Sequence, residues 1–426
     1  MAKRIFLIFT ISLLFTTVQN CLAQKKISLK NAIDLARTHH PMVKVLQMTA
    51  EAEKYDIKTA GLRPNILLND QSLLLADPFF NSQLPDLPTS RALPSFIYGS
   101  HNVQSWLQAT KQFQILGKRK AKIAYQTQDY KYAVENANFE ISQLLLMTAY
   151  QWLEAWYANE AYENLKLAKA NSDSLLVTNQ QRFKTAEISK NDLERSEILS
   201  ERHTNMLYSA AQKLRTELLK LSYMIGEKEN LAIDNETDNF FQNLIMDEAN
   251  LLENALKVHP NIVIAENKKE LEKSALALSR KMAIPNIEAG PIFNPQNTQP
   301  YIGWYIQVLI PVFDRNQGEI SKSIMNMDRT TEAIEATKNK ISFVVRHSMQ
   351  DYITYRENVV RFASIKAKSN DILSNIRNSY LSGKTGLVDY LYAKEYWFDT
   401  EKEFDETYYN YLKSYIELLY DTGNLK

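Results

Sequence analysis

The chain has 426 residues, enough for two or three ordinary domains, and its 50 basic and 49 acidic residues leave a formal charge of +1. That balance excludes the concentrated basic face that nucleic acid demands, so no nucleic-acid partner is expected. Cys21 is the single cysteine, which excludes an internal disulfide.

Residues 1–23 read as a secretory signal peptide. Lys3 and Arg4 precede a mostly apolar run, Ile5 to Val18, and Cys21-Leu22-Ala23 offers small residues at −3 and −1 of a cleavage site. Two other readings stay open. One is a membrane anchor, although the run falls short of the ~20 residues that span a bilayer. The other is a lipoprotein leader that keeps Cys21, although Val18-Gln19-Asn20 is a poor small-residue box. All three readings export the chain. Ile302 to Phe313 is the most apolar later segment, and Gly303, Gln307 and Pro311 interrupt it. Any later membrane span must therefore be β.

The rest reads as one plan written twice. Residues 24–63 form a first helical segment, with helix over Leu29–Leu62. Residues 64–114 form a strand pair, Ile66–Leu75 and His101–Phe113, around an outer loop at 76–100. A long helical hairpin fills 115–226, and 227–250 is a linker or equatorial segment. The plan then repeats: a helical segment at 251–285, a strand pair at 286–313, and a second long hairpin with the C-terminus at 314–426. Asn31-Ala32-Ile33 leads to His40-Pro41, as Asn254-Ala255-Leu256 leads to His259-Pro260. Pro64-Asn65-Ile66 is matched by Pro285-Asn286-Ile287. An offset of 197 aligns the hairpins without a gap, placing Ser172 on Ser369, Asp192 on Asp389, Tyr223 on Tyr420 and Gly226 on Gly423.

The helices are unusually long. Neither glycine nor proline occurs from Lys118 to Ile225, from Glu319 to Ser382, or from Leu387 to Thr422. Helix interiors exclude both residues, glycine for its backbone entropy and proline for its missing N–H and its clash. A helix from Gly117 to about Arg182 would measure roughly 100 Å at 1.5 Å per residue. Leu207, Ala211, Leu214, Leu218, Leu221 and Ile225 follow heptad spacing, and Phe404, Tyr408, Tyr411, Tyr415 and Leu418 repeat it. Ile141, Leu145, Thr148, Trp152 and Ala155 mark a further packing face. Breaks are expected near Thr185–Ser189 and Gly383–Gly386.

The clearest strand is 301–310. Ile302, Trp304, Ile306, Val308 and Ile310 share one face, the candidate lipid-facing set, and Tyr301, Gly303, Tyr305 and Gln307 share the other. Period-two alternation with one apolar face is a strand signal, and the length suits a tilted transmembrane strand. Two strand pairs give four strands, which cannot close a barrel, and open edges are not tolerated in lipid. Three chains would supply twelve.

In this order, and twice over, these features resemble the TolC-type outer-membrane efflux proteins. The resemblance covers nearly the whole mature chain. It rests on the paired N-A-[IL]…H-P openings, the strand-to-helix passages Val308–Arg315 and Phe113–Arg119, and the tip Tyr380–Leu391. The Ile310–Gly318 passage looks most like the heavy-metal branch, the cobalt–zinc–cadmium or copper–silver proteins. The resemblance implies a mainly α fold with membrane β: a homotrimeric, twelve-stranded barrel in outer-membrane lipid, continued by a helical tunnel in the periplasm. It implies a periplasmic adaptor and an inner-membrane pump of the resistance–nodulation–division type as partners, and no cofactor.

The resemblance also assigns roles. Asp192, Asp389, Tyr380 and Tyr392 are candidates for an aperture. Three inward copies of a carboxylate would focus negative potential and attract cations; Tyr392 stands where the family often has a second acid. Phe183, Lys184, Ala186, Glu187, Leu381, Gly383, Lys384, Gly386 and Leu387 are candidates for adaptor docking at the tips. His40 and His259, before their prolines, suggest helix-end geometry, whereas His203 and His347 are scattered. No phosphate loop, nucleophile elbow or zinc motif points to an enzyme. Type I protein secretion and a soluble periplasmic coiled-coil adaptor are the rival functions.

Overall fold

The computed structural model describes residues 25–74, 103–227, 231–234, 247–294 and 301–425. The expected signal peptide, the expected outer loop at 76–100 and residues 295–300 lie outside them. Two compact units emerge. One is helical and comprises Asn136–Val263 and Ala336–Lys426 with the N-terminal residues up to Met48. The other comprises Thr49–Glu135 and Ile264–Glu335 and holds the larger sheet.

In chain order the elements are β1 (Lys25–Ile27), α1 (Leu29–His39), α2 (Pro41–Ala60), β2 (Ile66–Leu74), β3 (Val103–Phe113), α3 (Lys118–Lys184) and α4 (Lys190–Ile225). After them come β4 (Leu231–Ile233), α5 (Glu248–Val258), α6 (Pro260–Met282), β5 (Ile287–Asn294), β6 (Tyr301–Val308), α7 (Gln317–Leu381) and α8 (Leu387–Asp421). The helices α3 and α7 run unbroken for 67 and 65 residues, free of glycine and proline but for Gly318 in the first turn of α7. The heptad seam on α4 ends in Leu221 and Ile225, both fully buried, and Leu145, Trp152 and Ala155 of α3 join the same core.

Three expectations need correction. The helical segment Leu29–Leu62 is two helices, because proline cannot continue α1 and instead begins α2. The 227–250 segment is not only a linker: β4 pairs in parallel with β1, Lys25 opposite Leu231 and Ile27 opposite Ile233. Three residues are too few to show a period, so both strands escaped notice. The last strand ends at Val308 rather than Ile310, since Pro311 lacks the N–H that a ladder needs.

The repeat is also more exact than its sequence landmarks. The two H-P junctions superpose at an offset of 219, His40 on His259, and buried Ala32 and Ala36 then fall on buried Leu251 and Ala255. Asn31-Ala32-Ile33 and Asn254-Ala255-Leu256 are therefore one helical turn out of step. At each junction the histidine closes the first helix and caps the second. The Met42 N–H donates to Nδ1 of His40 at 3.1 Å, and the Asn261 N–H donates to Nδ1 of His259 at 3.2 Å. Each ring meets a tyrosine edge-on: His40 with Tyr223 at 6.1 Å, His259 with Tyr420 at 6.2 Å. An Nδ1 that accepts must be unprotonated. Burial agrees, lowering the pKa of His40 and pushing that of His259 down to about 4.

The same duplication shapes the helix ends. Gly226 (φ 70°) and Gly423 (φ 73°) close the two long hairpins in the left-handed conformation. A Cβ on Gly226 would lie 2.9 Å from the carbonyl oxygen of His39, and one on Gly423 would lie 3.0 Å from Val258 Cγ2. His39 and Val258 are themselves equivalent in the repeat.

Candidate functional site: the amphipathic sheet and the helix–helix tips

The larger sheet has the order β2-β3-β5-β6, antiparallel throughout. Its register sorts the side chains by chemistry. Ile66, Lys111, Ala289 and Ile306 stand in one row, and Leu68, Ala109, Pro291 and Trp304 in the next. Phe113, Ile287 and Val308 lie on the same face, as do Leu107, Phe293 and Ile302. From the Phe113 row to the Leu107 row that face is apolar but for Lys111 and Asp70. Ile302 (79% exposed), Trp304 (81%) and Ile306 (69%) project from it. The opposite face carries Asn69, Gln71, Gln108, Thr110, Gln112, Glu288, Asn294 and Gln307, with Leu67, Trp106 and Ile292 among them. There Thr110 donates to Glu288 at 2.5 Å and the Tyr305 hydroxyl to Gln307 at 2.5 Å.

This distribution inverts the economy of a soluble sheet, which hides its apolar face. Ile302, Trp304, Ile306 and Val308 share the apolar face as expected; Ile310 lies past the strand. β3 and β5 are the inner strands, while β2 and β6 each leave one edge without a neighbour within the sheet. Gly290 permits the β3–β5 approach, since a Cβ there would sit 2.0 Å from the Ala109 carbonyl oxygen.

The two tips are built alike. α3 ends with Ala186 at φ 56°; Glu187 N–H donates to Arg182 O at 2.8 Å and Ala186 N–H to Phe183 O at 3.0 Å. α7 ends with Gly383 at φ 76°; Lys384 N–H donates to Ser379 O at 2.9 Å and Gly383 N–H to Tyr380 O at 3.0 Å. These are paired 6→1 and 5→2 closures of a Schellman end. The following helices start differently. Ser189 caps α4, accepting from Asp192 N–H at 3.2 Å and donating to the Asp192 carboxylate at 2.8 Å. Gly386 starts α8 with no side-chain cap.

Asp192 is thus partly spent on its own helix, and it also lies 3.8 Å from Arg195. Asp389 and Tyr392 are exposed, as are Phe183, Lys184, Ala186, Glu187, Leu381, Gly383, Lys384 and Gly386. Tyr380 and Leu387 are not on the surface. Tyr380 is 2% exposed, stacked on Tyr390 at 5.2 Å with Arg182 5.0 Å from its ring centroid. Its hydroxyl donates to Asn179 Oδ1 at 2.6 Å, and Asn179 Nδ2 donates to Ser196 Oγ at 2.6 Å. Burial raises the phenol's pKa. Leu387 (5% exposed) joins Leu175, Tyr380 and Tyr390 in a small core. An aperture role for Tyr380 and a docking role for Leu387 therefore conflict with their placement within the chain.

Sequence reasoning missed Asn179, Ser196 and His203. The signal was there: the α4 seam extends backward from Leu207 through His203, Ser200 and Ser196 at steps of 4, 3 and 4, with one break in the alternation at Leu207. All three are buried, and His203 Nδ1 lies 3.1 Å from Ser172 Oγ. Polar residues at seam positions meet polar partners across it. Among the described residues, no group of three or more His, Cys, Asp or Glu could hold a metal ion. No helix among them is long and apolar enough to cross a membrane.

Comparison with family models gives no match, nor does comparison with curated proteins. Solved structures do match. The outer-membrane channel CmeC of Campylobacter jejuni superposes with a TM-score of 0.70 at 13% identity, over 93% of this chain and 85% of that one. The open state of the outer-membrane channel MtrE of Neisseria gonorrhoeae gives 0.71 at 15%, over 93% and 89%. A membrane protein from Pseudomonas aeruginosa gives 0.71 at 15%, over 92% and 90%. The chain has the outer-membrane channel fold. At these identities the likeness concerns the backbone plan: the two strand pairs, the two long hairpins and their duplication.

Proposed function

We propose that the protein is an outer-membrane duct of a tripartite efflux system. The observation that carries this reading is the sheet with one exposed apolar face, one richer in polar side chains and two open edges. An apolar face that stays exposed in water is costly, whereas in lipid it is the required surface. Open edges in lipid are not tolerated, so β2 of one copy must meet β6 of another. Three copies give twelve strands with the polar faces lining the lumen. The long hairpins would continue the passage into the periplasm, and their exposed tips would meet an adaptor and, through it, an inner-membrane pump. Small solutes are the cargo. Within them, metal cations are the class favoured by the Ile310–Gly318 passage and by exposed Asp389.

The test is the native mass of the exported protein extracted from membranes in mild detergent. A trimer that remains in the outer-membrane fraction until detergent is added is expected. A monomer released without detergent would overturn the reading and revive a soluble coiled-coil protein.

A further inference from the structure

A cavity of about 550 Å³ opens within the helical unit between α3, α4 and α8. Its volume falls in the range of small-molecule sites, about 300–1,000 Å³. Leu165, Ile198, Met206, Leu391 and Phe398 give it apolar walls. One charged group is anomalous there. Lys394 lines the cavity, is 7% exposed, and its Nζ makes no hydrogen bond among the described residues. The Tyr390 ring, 5.4 Å away, offers only a π face. Burial and the neighbouring Arg377 push this ammonium down to about 8, so it remains largely protonated at neutral pH with a second cation nearby.

Three carboxylates line the cavity, Glu395, Asp399 and Asp405, and none of them pairs with it. Asp405 accepts from Asn164 at 2.6 Å, and burial raises its own pKa to about 7. Glu395 faces Arg202 at 3.8 Å. A buried ammonium without a counter-charge is expensive to maintain, and an incoming anion would remove that cost. We infer that this cavity binds an amphipathic organic monoanion, its acid group on Lys394 and its hydrocarbon body against the α4 and α8 walls. The inference stands on the helical unit alone and does not depend on the duct reading.

The test uses the full mature protein, purified in mild detergent, titrated calorimetrically with 2-naphthalenesulfonate and with 2-naphthylmethylammonium, a cation of the same shape. Saturable binding of the anion at one per chain, at least tenfold tighter than the cation, is expected. Lys394→Met should weaken the anion at least tenfold. Ala161→Phe, which fills the cavity from α3, should abolish binding while leaving the native mass unchanged. Equal affinity for anion and cation, or no saturable binding to the unaltered protein, would overturn the inference. Should Lys394→Met fail to fold, the two probes on the unaltered protein and Ala161→Phe still decide it.

Discussion

His259 carries a cap, an aromatic contact and a buried position at once, and the three demand the same protonation state. Its pKa of about 4 lies below the ordinary 6.5 of an unfolded histidine. The neutral ring therefore contributes stability that is complete above pH 6.5 and is lost as pH falls toward 4. Linkage puts the amount at about 3 kcal/mol, since one unit is about 1.4 kcal/mol. Denaturant unfolding from pH 7 to 4 should show that loss, and His259→Asn, whose carbonyl can still accept from Asn261 N–H, should flatten it. An unchanged slope would mean that His259 titrates elsewhere. Two glycines make a second comparison. Gly226 and Gly383 have nearly the same φ, but a Cβ at Gly226 meets His39 while one at Gly383 meets nothing within 4 Å. Gly383→Ala should cost only the left-handed penalty, about 1 kcal/mol. Gly226→Ala should cost clearly more, and equal unfolding midpoints for the two variants would contradict the contact.

At the scale of elements, Ala186 bears in the first tip the strain that Gly383 avoids in the second. Ala186→Gly should stabilise the α3–α4 hairpin by roughly 1 kcal/mol, read as slower amide exchange around the tip. In the sheet, Gly290→Ala would drive a methyl into the Ala109 carbonyl, and loss of the trimer in the native-mass measurement is the expected outcome. The sequence made the long elements legible, because the exclusion of glycine and proline over a whole helix is a strong signal. β6 was legible for a related reason: Ile302, Trp304 and Ile306 repeat with period two on a single face. β1 and β4 were not, being too short to show a period. The tip core was half legible. Tyr390 stands two heptads before Phe404 and so on the same seam, but whether Tyr380 lines an opening or fills a core depends on Asn179 and Ser196, residues from a different hairpin and a different helix. Pairing of that kind is fixed by tertiary contact and leaves no local trace.

For the whole molecule, the proposed trimer would bring three copies of each tip carboxylate together. With Asp389 exposed at the start of α8 and Asp192 engaged by Ser189, the two copies of the repeat are chemically unequal at matched positions. Asp389→Ala should lower the cation selectivity of single channels in a planar bilayer, and Asp192→Ala should change it less. Unchanged reversal potentials in Asp389→Ala would refute a ring of these carboxylates. The duplication itself was readable from the chain, and the structure sharpened it by moving its anchor from the Asn-Ala pairs to the two H-P junctions. The buried ammonium of Lys394 had no such signal, since a lysine on a helix reads as solvated until its neighbours are known.

The half-finished sheet has a consequence for how the protein is made. On the duct reading proposed above, each newly exported chain would travel through water before meeting its lipid and its two companions. During that interval it presents a greasy surface and two strand edges ready to accept any passing backbone. Self-templating of those edges into inactive aggregates competes with correct assembly, and the competition worsens with the square of the amount in transit. Such a chain needs an escort that covers the sheet, and overproduction beyond the escort's capacity should yield insoluble material from a sequence that is sound.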